Sequence, residues 1–396
     1  MELQEKSHIK PKFRLSDDVK TALFLLGVVL GFTAIFILCH FAVGDPFDSA
    51  IRYKSTNNSV VEPTHPGFGA KILYNIYPLK KGVIQFGGEI TRIAEKAFEG
   101  NCKLESIIVP EEVKSIGQDA FKGCVNLKEV TISGYLKEIE SEAFMDCNNL
   151  EEIDLPYSIT QIGDRAFYGC ESLTEISIPE DIVKIGKEAF YGCRNLESFS
   201  GELVSKDERC LVINDILISF APAGLDHYTI PNEITEIADR AFCSYELKSV
   251  TIPQSITAIN PGAFLDCDRL ERFKGKFASR DGRCLVINET LVAFAPYGVR
   301  DYTIPDGVAA IEKLTFLLSG LKNVTLPASV IEIGSAAFSG CLLLDSVTIA
   351  NGNTRLGEHV FGFCDDNLKI RVPMEYVEHY KSAENWSEYA DKIVGY

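Results

Sequence analysis

Apolar positions return in one fixed phase along most of the chain. The stretch 178–196 shows the unit, Ile-Pro-x-x-Ile-x-x-Ile-Gly-x-x-Ala-Phe-x-x-Cys-x-x-Leu. Its Phe falls at Phe98, Phe121, Phe144, Phe167 and Phe190, each 23 residues after the last. It returns at Phe242, Phe264, Phe316, Phe338 and Phe361, where the pair is Thr-Phe at 316 and Val-Phe at 361. Self-similarity at this period is the signature of a solenoid, in which each coil covers the apolar edge of its neighbour.

The pattern inside one unit predicts its elements. In Leu173-Thr174-Glu175-Ile176-Ser177-Ile178-Pro179, Ile176 and Ile178 alternate with polar residues, as a short strand with one buried face requires. Pro179 lacks an N–H and ends the strand. Ile182 and Ile185 bring the chain back over the core. The Gly-x-x-Ala-Phe-x-x-Cys segment reads as one short helical turn, with Ala189 allowing close approach and Phe190 filling the interior. The first core residues of successive strands are Ile84, Ile107, Val130, Ile153, Ile176, Phe199, Tyr228, Val250, Phe273, Tyr302, Val324, Val347 and Ile370, thirteen parallel rungs.

Two segments break the phase in the same way. Residues 205–222 recur 74 positions later as 279–296. In each, β-branched and aromatic residues flank an Asn-acidic dipeptide, Asn214-Asp215 and Asn288-Glu289, which predicts a two-residue hairpin turn. The hairpins are expected to replace the helical turn in two rungs. They fit either a partner-binding projection or packed side structure.

The N-terminal portion follows different rules. Thr21 to Val43 runs without Asp, Glu, Lys or Arg. At about 1.5 Å per residue it reaches roughly 35 Å, enough to span a bilayer and longer than a signal-peptide core. Residues 1–20 carry five basic and four acidic side chains, and only Arg52 and Lys54 follow the span closely. The basic excess places residues 1–20 in the cytoplasm and the repeats outside, with 21–43 as an uncleaved single-pass signal-anchor in the cell membrane. Residues 44–66 hold Asp45-Pro46, Ser55-Thr56-Asn57-Asn58-Ser59 and Pro63-Thr64-His65-Pro66, which reads as a linker. Ala70 to Leu79 reads as an opening cap. The solenoid then runs over 67–372 and a C-terminal cap over 373–396.

At these residues the chain resembles the BspA-like (treponemal-type) leucine-rich repeats, over roughly residues 80–372. The tail from Val372 to Val394 is similar to the C-terminal segment of many such bacterial proteins. The chain departs from the pattern at Ser133 and Ala350, where the Pro after the strand is missing, and in its N-terminal anchor. The expected fold is α/β, a leucine-rich-repeat solenoid of short parallel strands and short helical turns, preceded by one transmembrane helix. The resemblance implies a surface protein that binds other proteins or takes part in adhesion. A structural scaffold of a cell-envelope complex is the alternative.

Composition narrows the function. The net charge of −17 over 396 residues argues against nucleic acid, whose phosphates require a basic face. No nucleophile elbow, zinc-protease helix motif or phosphate loop is present, so no catalysis is expected, nor a metal or small-molecule cofactor. Cys124, Cys147, Cys170, Cys193, Cys267, Cys341 and Cys364 share one register beside the Phe, which reads as a ladder of buried thiols. The candidate binding face is the outward side of the strands. Its acidic residues cluster on three successive rungs, at Glu129 with Thr131, Glu152 with Asp154, and Glu175 with Ser177. These six are the expected contacts for an unidentified protein partner, with weak cation binding as a lesser use. The expected topology has a direct check. Protease added to intact cells should remove the repeats, whereas protected repeats, or a mature N-terminus near Gly44, would contradict it.

Overall fold

The computed structural model describes residues 50–396 apart from 66, 133, 244 and 245. The expected tail 1–20 and anchor 21–43 lie outside the described residues. Among the described residues no helix is long and apolar enough to cross a membrane.

The chain winds as a β-solenoid of about thirteen turns. All thirteen expected strand residues lie in strands and are buried. Their strands stack in sheets on one face, mostly parallel, with partners one repeat apart such as Val130 and Ile153. A second row of two-residue strands lines the opposite wall: Arg92–Ile93, Ser115–Ile116, Glu138–Ile139, Gln161–Ile162 and Lys184–Ile185 form one parallel sheet. These strands hold the return Ile of each unit, which reads in sequence only as a core contact.

The corner after each return strand is not helical. The residue two before the Phe is left-handed in most rungs, with φ of 54° at Asp119, 57° at Glu142 and 55° at Arg165. So is the residue two after it, with φ of 69° at Gly123, 58° at Asp146 and 71° at Gly169. Two left-handed residues four apart cannot continue a right-handed helix. Instead, tight turns close by i+3 bonds, such as Ala120 N–H to Gly117 O (3.1 Å) and Cys124 N–H to Phe121 O (3.0 Å). This overturns the expected helical turns and leaves a β-solenoid in place of the α/β class. Within the described residues the α-helix is α1, Val377–Ser382, in the C-terminal segment.

The corners stack through their rings and their backbones. Phe98, Phe121, Phe144, Phe167 and Phe190 lie ring on ring, 5.1–5.4 Å apart and within 7° of parallel. The Phe121 N–H donates to Ala143 O on the next rung (2.8 Å), and Phe144 repeats this to Ala166 O (2.8 Å). The cysteines complete the link. Cys147 Sγ donates to Phe121 O (3.1 Å) and Cys170 Sγ to Phe144 O (3.3 Å), and the same bond recurs at Cys124, Cys193, Cys341 and Cys364.

The hairpins divide this stack. Cys210–Ile213 pairs with Ile216–Phe220, and Cys284–Ile287 with Thr290–Phe294, each antiparallel. Both turn residues are left-handed, at 51° and 62° for Asn214-Asp215 and 47° and 63° for Asn288-Glu289, as a type I′ turn requires. Each hairpin opens a fresh return sheet, because Ile216-Leu217 pairs with Glu236-Ile237 and Thr290-Leu291 with Ala310-Ile311. Phe220 and Phe294 take the corner position and meet Phe242 and Phe316 with rings tilted by 34° and 49°. Neighbouring residues face opposite ways. Leu211 and Ala221 join the core before the first hairpin and Cys210 and Phe220 the core after it, as do Leu285 and Ala295 against Cys284 and Phe294 at the second.

The N-terminal expectations need correction. Residues Ala50–Ser55, placed in the expected linker 44–66, form strand β1. Ile72–Ile76 forms β2 and Gly82–Phe86 forms β3. β1 lies between β3 and the strand Leu104–Val109, antiparallel to both, so the first rung does not join the parallel stack directly. Ile51 and Tyr53 point inward while Arg52 and Lys54 point out, the alternation of a half-buried strand. The Tyr53 hydroxyl anchors the segment, donating to Asn75 Oδ1 (2.8 Å) and accepting from Val61 N–H (3.1 Å). At the other end Ile393–Gly395 adds a parallel strand to Lys369–Val372. Buried Tyr380 and Trp386 cover the last rung, and Tyr389 meets Phe361 edge-on.

Among the eleven described cysteines Cys102 is the exposed one, and none is in a disulfide. Burial pushes the Cys124 thiol up to about 12 and lifts Cys147 and Cys170 well above the ordinary value. The thiolate is the nucleophile, so these groups are unreactive at pH 8. Iodoacetamide on the native protein should therefore label Cys102 alone among the eleven, and the others only after denaturation. Native labelling of Cys147 or Cys170 would show that the corner ladder is open.

Candidate binding surface

The strand face is built by alternation. Each strand sends its central apolar residue inward, so the two flanking residues must face solvent. All six expected contacts, Glu129, Thr131, Glu152, Asp154, Glu175 and Ser177, are exposed. Register places Ser106 beside Glu129, and Glu129 beside Glu152. Glu175 lies on the next strand, Glu175–Ser177, which pairs onward with Ser198–Ser200. Thr131 Oγ1 donates weakly to Glu129 Oε1 (3.5 Å). None of the four carboxylates forms an ion pair with another described residue; the pairs near them join other groups, such as Lys128 with Glu151 at 4.0 Å.

The face is more segregated in charge than the repeat pattern alone reveals. Lys54 of β1 pairs with Ser106, and Arg52 with Ile108, so two basic side chains lie two strands from Glu129 in the sheet that carries Glu129 and Glu152. Basic pairs return at Arg272 with Lys274 and at Lys369 with Arg371, all exposed. The strand phase set by Phe273 and Ile370 assigns those four residues outward. β1 alternates but does not repeat, so Arg52 and Lys54 carry no such signal. The strand phase set by Val250 also assigns Ser249 outward, and the structure does not follow it. Ser249 is buried, and its Oγ bonds His227 Nδ1 at 2.9 Å.

The hairpins are packed rather than projecting. Cys210, Leu211 and Leu217 are fully buried, as are Cys284, Leu285 and Leu291. One set of bonds recurs in both copies. Cys210 N–H donates to Ser205 Oγ and Cys284 N–H to Ser279 Oγ, both at 2.9 Å. Arg209 Nη1 donates to Ala223 O and Arg283 Nη1 to Tyr297 O, again at 2.9 Å. Among the described residues no group of three His, Cys, Asp or Glu side chains is arranged to hold a metal ion.

A family model described as BspA type Leucine rich repeat region matches residues 84–205, 218–278 and 291–383, with six copies. The chain belongs to this BspA-type leucine-rich repeat family. The unmatched gaps, 206–217 and 279–290, cover the first strand and turn of each hairpin. The second strand of each hairpin, Ile216–Phe220 and Thr290–Phe294, falls largely inside the matched repeats. Among solved structures, the chain is similar to a leucine rich cell surface protein from Faecalibacterium prausnitzii A2-165. The two are 25% identical over 78% of this chain and 82% of that one, with a TM-score of 0.45. It is also similar to the T. pallidum Leucine Rich Repeat protein, at 26% identity over 49% of this chain and 82% of that one, with a TM-score of 0.33. The pneumococcal vaccine antigen PcpA is 20% identical over 84% of this chain and 89% of that one, with a TM-score of 0.45. With TM-scores this low the assignment rests on the family match alone. No curated protein matches the chain.

Proposed function

We propose that this BspA-type protein is a protein-binding module held at a cell surface by residues 21–43, with its repeats outside the cytoplasm and a role in adhesion. The observation that carries the binding reading is the acidic row of Glu129, Glu152, Asp154 and Glu175. Like charges directly opposed across strands destabilise a sheet, and each pair repels by roughly 1 kcal/mol at 4 Å in water. No ion pair among the described residues offsets this repulsion, and the row adds nothing to the core. A basic partner surface would offset it. What supports the anchoring is the uncharged run 21–43 with its basic flank.

The test uses residues 50–396 as bait, because a bait starting at residue 67 would strip β1 from the sheet. Binding to a captured partner is measured at about 0.1 M and 1 M salt, where the screening length falls from roughly 10 Å to 3 Å. Wild-type affinity should drop with salt. A variant with Glu129, Glu152, Asp154 and Glu175 changed to Ser should bind weakly at both concentrations with an unchanged circular dichroism spectrum. A folded variant that binds as tightly as wild type would show that the row is solvated surface.

A further inference from the structure

The corner edge changes character along the stack. From Lys96 to Arg240, the residue two before the Phe of each repeat unit, hairpins aside, is charged, and ion pairs join these groups. Lys96 meets Asp119 (4.0 Å), Arg165 meets Glu142 (3.9 Å) and Glu188 (2.7 Å), and Arg240 meets Glu188 (3.2 Å). The next three such positions are Gly262, Leu314 and Ala336.

The 74-residue duplication lets the two hairpin junctions be compared position by position. In the first, Glu188, Tyr191, Arg240, Cys243 and Asp266 fill the space where the hairpin lacks a full corner. Tyr191 is buried, its hydroxyl donates to Asp266, and Arg240 lies 5.9 Å over its ring. The corresponding residues of the second copy are Gly262, Leu265, Leu314, Leu317 and Gly340. A cleft of about 460 Å³ opens there, its walls formed by Leu265, Val299, Leu314, Leu317, Tyr297 and Leu343. Asp266 and Asp268 line the same cleft, with Arg300 as its one cationic side chain. Burial, and then the neighbouring Asp266, raise the Asp268 carboxyl above its ordinary value.

The edge beside the cleft is unusual in the same sense. The residue two after the corner Phe is Gly or Asp at 100, 123, 146, 169, 192, 266 and 340, but it is Leu318 and Phe363 in two late rungs. Both are left-handed, at 58° and 57°, and they are 64% and 86% exposed. A bulky side chain in that conformation is disfavoured, and at this exposure burial offsets little of the cost.

We propose that the cleft docks an exposed peptide segment of a partner protein, seating one large apolar side chain against Leu265, Leu314 and Leu317 with an adjacent Lys or Arg against Asp266 and Asp268. The volume is in the range of small-ligand sites, which suits one such side chain with its neighbour. The two carboxylates outnumber the single Arg300 and favour a cationic neighbour, and the net charge of −17 favours the approach of basic segments. This surface is separate from the acidic strand row, so either can fail without the other.

The experiment selects a displayed random heptapeptide library on the immobilised full-length chain. Enriched sequences should join Phe, Leu or Trp to a neighbouring Lys or Arg. A synthetic peptide of that consensus should bind at least tenfold more weakly to Leu343→Arg, a change at an exposed rim position where the first copy has Arg269. The fivefold variant Gly262→Glu, Leu265→Tyr, Leu314→Arg, Leu317→Cys and Gly340→Asp, which installs the first copy's set, should do the same. Asp266→Asn with Asp268→Asn should keep the apolar preference and lose the basic one, and the four-Ser strand variant should bind the peptide as wild type does. No enrichment, an acidic consensus, or full binding by Leu343→Arg would overturn the proposal. So would a dimer by light scattering that Phe363→Ser dissolves, since a second copy would then occupy the cleft.

Discussion

The corner peptides of Phe98, Phe121, Phe144, Phe167, Phe316 and Phe338 are each bonded twice to the following rung. At Phe121 the N–H reaches Ala143 O and the carbonyl accepts the thiol of Cys147, while the ring lies 5.1 Å from that of Phe144. These contacts require a rung spacing near 5 Å, which is also the spacing of hydrogen-bonded strands. One distance therefore serves the sheet, the ring stack and the corner backbone. It explains the residue types of the repeat. Ala is small enough to let its carbonyl approach, Phe fills the interior, and Cys is a small, readily buried group that still offers a proton.

The same constraint explains the hairpins. A rung that carries a hairpin cannot make the full corner, and the ring stack stops there. Phe199 turns edge-on to Phe190 at 75°, and Phe273 does so to Phe264 at 70°. Phe220 and Phe294 lead into it with tilted rings, and the stack restarts at Phe242–Phe264 and Phe316–Phe338. The hairpin strands form walls with one residue on either side, so the core falls into three blocks. The duplicated unit carries its wall with it, and the corner residues beside the second wall have diverged to apolar types.

How much of this was legible in the sequence depends on repetition. The rungs, the outward face and the hairpin turns are written many times or twice, and repetition separates phase from chance. The corner was misread because Gly-x-x-Ala-Phe is locally compatible with a helical turn. What excludes the helix is left-handed backbone at Asp119, Glu142 and Asp146, residues whose types tolerate that conformation without advertising it. β1 was missed because Ile51 and Tyr53 alternate only once, between turn-forming residues. The acidic row was legible residue by residue. The basic residues that share its sheet were not, since Arg52 and Lys54 reach it only through an antiparallel strand from outside the repeat.

The central claim is that each block is held by its own corner stack and insulated by the hairpin walls. Native-state hydrogen exchange on Phe144→Ala tests it most directly. Removing a fully buried Phe costs about 3–5 kcal/mol, and in a solenoid the loss is shared with neighbouring rungs. Exchange should accelerate at the amides of Phe98, Phe121 and Phe167 and in the strands between them. The amides of Phe316 and Phe338, beyond both hairpins, should keep wild-type rates. Equal acceleration along the whole chain, or an effect confined to the substituted rung, would contradict the account.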